Sequence, residues 1–301
     1  MNRVIIVFNP RSTRFKDVER EILDVSRNLA GYTVGKYEVK PTSIEENAAC
    51  LAKVLNDDDL VISAGGDATG IISVHGIINS GKDARLAVLP YGNFNDLART
   101  LGTFKFDDVF KGKVKKLYPL DIIVDGKHFR YATCYVTMGM TGEAVELFDD
   151  KDVRKKLQKG HKSSWRSYVN LVKWYFKNRH KKLFIPEFKL NGELMHIKTS
   201  DYCALNGRSM CRVMKGGDWY LKKDIFLHMT GKLANFWNLS ILMTRSIFKR
   251  VPGSETKGDV IEFIEPATVE LQAEGEYKKF SDIKKIEIRK SDQALKVISL
   301  R

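Results

Sequence analysis

The chain has 301 residues, 43% of them hydrophobic, and a formal net charge of +14, so it can bury a large core and form one large or two medium domains. Its four cysteines form no Cys-x-x-Cys pair and its six histidines lack metal-ligand spacing, which argues against disulfides and a zinc site. No apolar run reaches the roughly 18 residues of a spanning helix, and the N-terminus lacks a signal-peptide core. We expect a globular cytoplasmic protein whose membrane contact is peripheral.

Strands and helices are predicted to alternate over about the first 118 residues. Val4–Phe8 has the pattern of a buried strand, and apolar residues follow it at helical spacing at Val18, Ile22, Val25 and Leu29. The next predicted elements are a strand over 32–39, a helix over Glu45–Leu55, a strand over Leu60–Ser63, a helix over Ala68–Asn79 ended by Gly81, a strand over 85–90 and a helix around Asn95–Leu101. This alternation predicts a doubly wound, Rossmann-like α/β domain with a parallel sheet.

The pattern changes after Pro119, where three hairpins are predicted. Their turn pairs are Asp125-Gly126, Asn191-Gly192 and Glu274-Gly275. The sequence therefore predicts an α/β domain over residues 1–119 and a β-rich, antiparallel region from residue 120 onward.

Residues 151–182 form a strongly basic segment. They contain twelve Lys and Arg residues and one acid, Asp152, which gives a net charge of +11. Six apolar residues repeat there at helical spacing, namely Trp165, Tyr168, Val169, Val172, Tyr175 and Phe176. A basic amphipathic helix suits an anionic membrane surface, whereas inward packing would explain the apolar stripe without any membrane. Nucleic acid is disfavoured as a partner because no DNA-binding or RNA-binding motif occurs.

Three loops follow predicted parallel strands, where α/β sheets bind their ligands. They read "NPRST" at 9–13, "GGDAT" at 65–69 and "PYGNFND" at 90–96. Gly65 and Gly66 allow close backbone approach, and the start of a helix offers unpaired N–H groups to a phosphate. Asp67 could hold a metal ion and Thr69 could donate a hydrogen bond. A tight turn without a ligand would explain the two glycines as well.

In this order and spacing, the three loops resemble the diacylglycerol kinase catalytic domain, which bacterial soluble lipid kinases, sphingosine kinases and ceramide kinases share. That family carries NP-x-SG, GGDGT and P-x-GTGND-x-AR loops. The later segments "ALNGRSMCRVMKGG" and "LQAEGEYKKF" also resemble parts of the family. The resemblance covers essentially the whole chain.

The resemblance implies a lipid kinase that binds ATP between two domains and, with Mg²⁺, transfers the γ-phosphoryl group to a lipid hydroxyl. It implies that residues 120–283 form a β-rich, sandwich-like domain and that residues 284–301 return to the first domain. It places Glu274 at the position of the catalytic base, with Asp67 as the second catalytic residue. The implied contacts to nucleotide or its magnesium are Asn9, Ser12, Thr42, Gly65, Gly66, Asp67, Thr69 and Asn95. No direct metal ligand is assigned.

Five positions depart from the family pattern. Ala68 replaces a glycine, at a cost of about 1–2 kcal/mol if φ is positive there and none in a helical first turn. Ile72 replaces a carboxylate, Phe94 replaces a glycine, and Thr230 stands near an Asp-Gly that organises a metal site in the family. Glu274 replaces an aspartate, and a shift of about 1 Å in a reacting group can cost on the order of 100-fold in rate.

Three functions are compatible with these residues to different degrees. The first is an active lipid kinase acting on a diacylglycerol-like or sphingoid-like alcohol. The second is a non-catalytic relative that binds lipid or nucleotide, which four of the departures favour, namely Ala68, Ile72, Phe94 and Thr230. The third, an NAD-kinase-like enzyme, is disfavoured because the Asn-Glu dipeptide of that family is absent from the sequence. The particular lipid and the oligomeric state, a homodimer included, are left open.

Overall fold

The computed structural model describes residues 3–12, 14–29, 31–139, 185–195, 199–210, 214–231 and 253–301, with Lys173 and Ile241 as isolated positions. Apart from Lys173, the basic segment 151–182 lies outside the described residues, so its predicted helix stays a prediction. Within the part of the chain that is described, no helix is both long and apolar enough to cross a membrane.

The chain divides into two compact units. Unit 1 comprises Met1–Pro119, Tyr220–Lys223 and Ser291–Arg301, and unit 2 comprises Leu120–Trp219 and Asp224–Lys290. The final segment of unit 1 begins at Ser291, directly after the strand Glu276–Lys290 of unit 2.

The N-terminal part of unit 1 alternates between strands and helices. In chain order its elements are β1 (Arg3–Phe8), α1 (Phe15–Val18), a π-helix (Glu19–Leu23), a 3-10 helix (Val25–Asn28), β2 (Thr33–Glu38), α2 (Ile44–Val54), β3 (Leu60–Gly65), α3 (Asp67–Ser80), β4 (Arg85–Pro90), α4 (Asp96–Leu101), α5 (Asp108–Lys111) and β5 (Lys113–Leu117). Local chemistry sets several boundaries. Ser43 caps α2 by accepting a hydrogen bond from the N–H of Glu46 at 3.1 Å, and Gly81 ends α3 with φ = 64°.

The helix predicted through Val18, Ile22, Val25 and Leu29 is not continuous. Its α-helical part ends at Val18, and a π-helical and then a 3-10 segment follow it. Val18 and Ile22 are fully buried. The wider π-turn rotates the residues that follow it, and Val25 is 51% exposed.

Strands dominate the rest of the described chain. They are β6 (Leu120–Val124), β7 (Lys127–Ala132), β8 (Tyr135–Gly139), β9 (Phe188–Leu190), β10 (Glu193–Leu194), β11 (Asp201–Leu205), β12 (Ser209–Met210), β13 (Met214–Lys215), β14 (Phe226–Gly231), β15 (Ser254–Thr256), β16 (Gly258–Ala273), β17 (Glu276–Lys290) and β18 (Leu295–Ser299). The last strand belongs to unit 1.

The sheet of unit 1 has the order β2-β1-β3-β4-β18-β5 among the described strands. Neighbouring strands from β2 to β18 are parallel, and β5 joins the edge antiparallel to β18. Alternate residues point to opposite faces. One face carries Ile6 and Ile62 into a core shared with Val18 and Ile22. Since β1, β3 and β4 are adjacent and parallel, their carboxyl ends lie at the same edge of the sheet.

Unit 2 is built on an antiparallel sheet. Its main path is β15-β14-β11-β8-β16-β17-β6-β7, with β9 on β16 and β10 on β9. The three predicted hairpin turns are confirmed, because both residues of each turn pair have positive φ. The φ values are 46° and 76° at Asp125-Gly126, 53° and 88° at Asn191-Gly192, and 52° and 89° at Glu274-Gly275. Two successive positive φ values give the turn twist that fits antiparallel strands.

Candidate functional site

Asp67 joins two of the predicted ligand loops in unit 1. It is the first residue of α3, and its Oδ2 and Oδ1 accept hydrogen bonds from the backbone N–H groups of Asn95 and Asp96, at 2.9 and 2.8 Å. These amides open α4, where the helix dipole favours a carboxylate. Asp67 therefore fixes the start of α3 to the start of α4.

Two glycines let the same loops meet backbone to backbone. A Cβ on Gly66 would lie 3.2 Å from the Cα of Gly92, and a Cβ on Gly92 would overlap Gly66 outright. The ladder between β3 and β4 also continues past the strands, because Tyr91 N donates to Gly65 O at 2.9 Å. The glycines at 66 and 92 are thus required by the packing of one loop on the other.

Asn95 closes the 92–95 loop. It takes a left-handed conformation, with φ = 57°, which asparagine tolerates better than most residues. Its Oδ1 accepts from Gly92 N and its Nδ2 donates to Gly92 O, both at 2.7 Å. The side chain predicted to contact nucleotide is therefore 5% exposed and bonded to its own loop.

Thr69 and Ala68 lie in the first turn of α3. The Thr69 side chain packs against Gly65, where any Cβ would clash with its Oγ1. Ala68 is helical and is not among the residues with positive φ. Of the two conformations considered for Ala68, the structure has the one that alanine adopts without strain.

The first loop contains Asn9 and Ser12, both at the end of β1. Asn9 Oδ1 accepts from Arg11 N at 2.9 Å, and Asn9 O accepts from Ser12 N at 2.9 Å, so asparagine stabilises the turn. Ser12 Oγ is buried and has no hydrogen-bond partner among the described residues. A buried hydroxyl without a partner costs free energy.

Thr42 lies on the connection from β2 to α2. Its Oγ1 accepts from the Nδ2 of Asn47 at 2.9 Å, and Asn47 Oδ1 accepts from Lys40 N at 2.8 Å. Asn47 is 2% exposed and holds this connection from inside the unit. Thr42 thus has a protein partner at the position where the resemblance implied a nucleotide contact.

Loop 90–96 is anchored on its other side by Tyr91. This side chain is 3% exposed, its hydroxyl donates to Glu21 Oε2 at 3.0 Å, and the Arg14 guanidinium lies 5.2 Å from the centre of its ring. Burial, and then the hydrogen bond to Glu21, raise the pKa of Tyr91 well above its ordinary value. The phenol therefore stays protonated and holds the loop at physiological pH.

Glu274 occupies the bend of the β16–β17 hairpin in unit 2. Its Oε1 accepts from Thr133 N and Thr133 Oγ1, each at 2.5 Å, and from Cys134 N. The side chain is 5% exposed. Three donors converging on one oxygen compensate for the burial of a carboxylate and fix its orientation.

A second buried carboxylate lies in unit 2 near Thr230. Asp259 accepts from Tyr202 OH at 2.6 Å and from Asn191 Nδ2 at 3.0 Å, and His228 Nδ1 lies 2.8 Å from its oxygens. Burial, and then the charge of Asp259, raise the pKa of Tyr202 well above its ordinary value. Among the described residues no group of three or more His, Cys, Asp or Glu side chains could hold a metal ion.

Comparisons with known proteins match this chain to a family model and to a curated relative. Residues 3–124 match the family model of the diacylglycerol kinase catalytic domain. A curated relative, a diacylglycerol kinase of Bacillus subtilis (strain 168), is 33% identical over 169 residues, which cover 53% of this chain and 52% of that protein. The matched region thus spans about half the length of the curated relative. The predicted resemblance to the diacylglycerol kinase catalytic domain is confirmed.

Solved structures share the fold at low sequence identity. A crystal structure of a putative diacylglycerol kinase from Bacillus anthracis str. Sterne has a TM-score of 0.64 at 15% identity and covers 99% of this chain and 96% of that chain. A second structure, of a diacylglycerol kinase from the same organism, has a TM-score of 0.67 at 14% identity with the same coverage. The predicted fold class, a helix-bearing parallel sheet followed by an antiparallel sheet, is confirmed.

Sequence reasoning missed the residues that hold the candidate side chains in place. They are Gly92, which packs on Gly66, and Thr133 and Cys134, which donate to Glu274. The roles of Thr133 and Cys134 depend on which strands become neighbours in the sheet, so no local sequence signal could have found them.

Proposed function

We propose that this protein is an ATP-dependent lipid kinase that transfers the γ-phosphoryl group of ATP to the hydroxyl of a diacylglycerol-like or sphingoid-like lipid. The observation that carries the proposal is the pair of hydrogen bonds by which Asp67 connects the "GGDAT" and "PYGNFND" loops. It keeps both loops in a regular arrangement although several signature positions have changed.

Two features of unit 1 fit the phosphates of a nucleotide. The 14-residue helix α3 begins after Gly66 without a capping side chain, and the first N–H groups of a helix lack intrahelical acceptors. Ser12 Oγ, at the same edge of the sheet, is a buried donor without a described partner. Bound magnesium would neutralise charge on the phosphates, and Asp67 is the residue proposed to address it through water.

In unit 2, Glu274 is proposed to act on the acceptor. Its carboxylate would take the proton of the lipid hydroxyl while that oxygen bonds to the γ-phosphorus and the bond to ADP breaks. The donors at Thr133 and Cys134 would hold the base in one orientation throughout. This fixed geometry supports the proposal that Glu274, although longer than the aspartate of the family, can act as the base.

Membrane contact is proposed for the basic segment 151–182, because the substrate would lie in a lipid surface. A net charge of +11 in 32 residues attracts anionic headgroups, by roughly 1 kcal/mol for each Lys or Arg close to the surface. This attraction would keep the enzyme at the surface that holds its substrate.

A non-catalytic protein that binds lipid or nucleotide is the second candidate. It is favoured by the protein partners of Asn95, Thr42 and Asp67, whose polar atoms already have hydrogen bonds within unit 1.

Radiolabelled ATP offered with a panel of lipid alcohols in mixed micelles separates the two candidates. The kinase proposal expects a magnesium-dependent labelled lipid that Glu274→Gln abolishes. ATP or lipid binding by calorimetry without any labelled product would support the second candidate.

A further inference from the structure

Hydrogen bonds link two buried side chains of opposite charge in unit 2, Lys290 and Glu274. Lys290 ends β17 and is 7% exposed. Its Nζ donates to Asn206 Oδ1 and, at 2.8 Å, to Trp219 O. Asn206 Nδ2 then donates to the carbonyl oxygen of Thr133 at 2.9 Å.

The next link is the peptide group between Thr133 and Cys134. Its carbonyl oxygen accepts from Asn206, and its N–H, the amide of Cys134, donates to Glu274 Oε1. The series therefore runs from the Lys290 ammonium through the Asn206 amide and this peptide to the Glu274 carboxylate.

All bonds in the series have the same direction. An ammonium at the oxygen of an amide strengthens the N–H donors of that amide, and a donor at a peptide carbonyl strengthens the peptide N–H in the same way. The positive end is at Lys290 and the negative end is at Glu274. Each amide transmits part of this polarisation, so the Cys134 N–H becomes a better donor to the carboxylate.

Backbone hydrogen bonds from the 206–207 segment also hold the peptide groups next to Glu274. Asn206 N and Gly207 N both donate to Cys134 O, at 2.7 and 2.8 Å, so both carbonyl groups of residues 133 and 134 are held by the 206–207 segment. The residue that carries the Cys134 N–H donor is therefore held on both sides of its Cα, through Thr133 O and Cys134 O.

We infer that Lys290 and Asn206 are positioning residues, which act through the Thr133–Cys134 peptide to orient the Glu274 carboxylate. The catalytic consequence rests on the proposed function, whereas the electrostatic link is a property of unit 2 alone. A different role would be to tie the end of β17 to Trp219. That role predicts no response at the Cys134 amide when the charge of Lys290 is removed.

The amide of Cys134 can be observed directly. The chain has four cysteines, so labelling the full-length protein with ¹⁵N-cysteine gives four amide signals, and Cys134→Ala identifies the relevant one by its loss. A stronger hydrogen bond moves an amide proton downfield. Lys290→Met should move the Cys134 proton upfield, in the direction that Glu274→Gln moves it and by a smaller amount.

Lys285→Met is the matched control, because Lys285 lies on the same strand and pairs at 2.8 Å with Glu287 on the surface. It should leave the Cys134 signal in place, and Lys290→Arg, which keeps the charge, should restore most of the wild-type shift. The other three cysteine signals report whether each variant is folded. If Lys290→Met does not fold, Lys290→Gln keeps a neutral donor and serves the same purpose.

Kinetics test the positioning role. Lys290→Met should lower kcat at least fivefold with KM for ATP unchanged, and Lys285→Met should change neither. A Cys134 signal that moves no further in Lys290→Met than in Lys285→Met would overturn the link. An unchanged kcat despite a shifted signal would overturn the positioning role. A shifted signal in a protein without any kinase activity would leave the link standing and refute the proposed function.

Discussion

The carboxylate of Asp67 accepts a hydrogen bond from the backbone N–H of Asn95 at 2.9 Å, across 28 residues of sequence. Its other oxygen accepts from Asp96 N. One side chain at the start of α3 therefore fixes the start of α4, and with it the loop that was predicted to face a nucleotide.

Asp67→Ala should destabilise unit 1 and weaken ATP binding. Hydrogen bonds to a charged group contribute about 1.5–3 kcal/mol each, so loss of both should release the 92–95 loop. We expect at least a tenfold loss of ATP affinity, or about 1.4 kcal/mol, by calorimetry.

Asp108→Ala is the control for this change. Its Oδ2 also accepts from two backbone amides, those of Phe104 and Lys105, both at 2.8 Å, but in another loop. It should lower the urea midpoint and leave ATP affinity unchanged. Equal loss of ATP affinity in both variants would contradict a specific role for Asp67.

Glu274→Asp should lower activity, although it restores the family residue. The three donors at Thr133 and Cys134 meet Oε1 of the longer side chain, and the shorter carboxylate would fall about 1 Å short of them. We expect a fall on the order of 100-fold in kcat. Glu274→Gln should reduce kcat about 100-fold or more at unchanged ATP affinity.

The assay is initial rates of lipid phosphorylation together with ATP calorimetry. Glu276→Asp, two residues further along the chain at a partly buried position, is the control and should keep near wild-type rates. An unchanged or higher rate in Glu274→Asp would show that the surrounding loop had not adapted to glutamate.

Ala68→Gly should not improve the protein. Ala68 lies in a helical turn, where glycine is less favourable than alanine by up to about 1 kcal/mol. The urea midpoint should fall slightly and the phosphorylation rate should not rise. A matched change, Gly81→Ala, should cost about 1–2 kcal/mol for the opposite reason, because Gly81 has φ = 64°. A gain in rate for Ala68→Gly would mean that the loop must leave the helical conformation to work.

Tyr202 should make unit 2 sensitive to alkaline pH. Its pKa is raised by burial and by Asp259, so the folded state retains a proton that the unfolded state loses above about pH 10. The corresponding stability is present below pH 10 and is lost as pH rises toward the folded pKa.

Urea midpoints measured between pH 8 and 11 test this. Tyr202→Phe should be less stable than wild type at pH 8, because Asp259 loses a donor, and should lose less stability on going to pH 11. Tyr277→Phe, at a position that is 43% exposed, should follow the wild-type curve. A Tyr202→Phe curve parallel to that of wild type would contradict the linkage.

Binding to anionic vesicles should depend on salt and on the basic segment. Replacement of Lys155, Lys156, Lys159 and Lys162 by Gln should weaken co-sedimentation with vesicles that contain phosphatidylglycerol, most strongly at low ionic strength. The control removes four lysines of unit 1, at 111, 113, 115 and 116. Equal weakening by both sets would assign the attraction to overall charge rather than to residues 151–182.

Sequence alone determined the two kinds of architecture and the turns that join the strands. Strand patterns that alternate with helix patterns predicted the parallel sheet. The pairs Asp125-Gly126, Asn191-Gly192 and Glu274-Gly275 predicted hairpins that the φ values confirm. These features are local, because hydrophobic periodicity and glycine conformation act over a few residues. The loop motifs likewise identified the resemblance that the family model confirms over residues 3–124.

Only the tertiary structure decided which polar atoms meet. Asp67 finds its partners 28 and 29 residues away, and Glu274 finds Thr133 and Cys134 across more than 130 residues. Strand order and register bring such pairs together, and neither is encoded near the residues concerned. The sequence also left the conformation of Ala68 open, because the same residues are compatible with a glycine-rich turn and with the first turn of a helix. The start of α3 at Asp67 decides between the two.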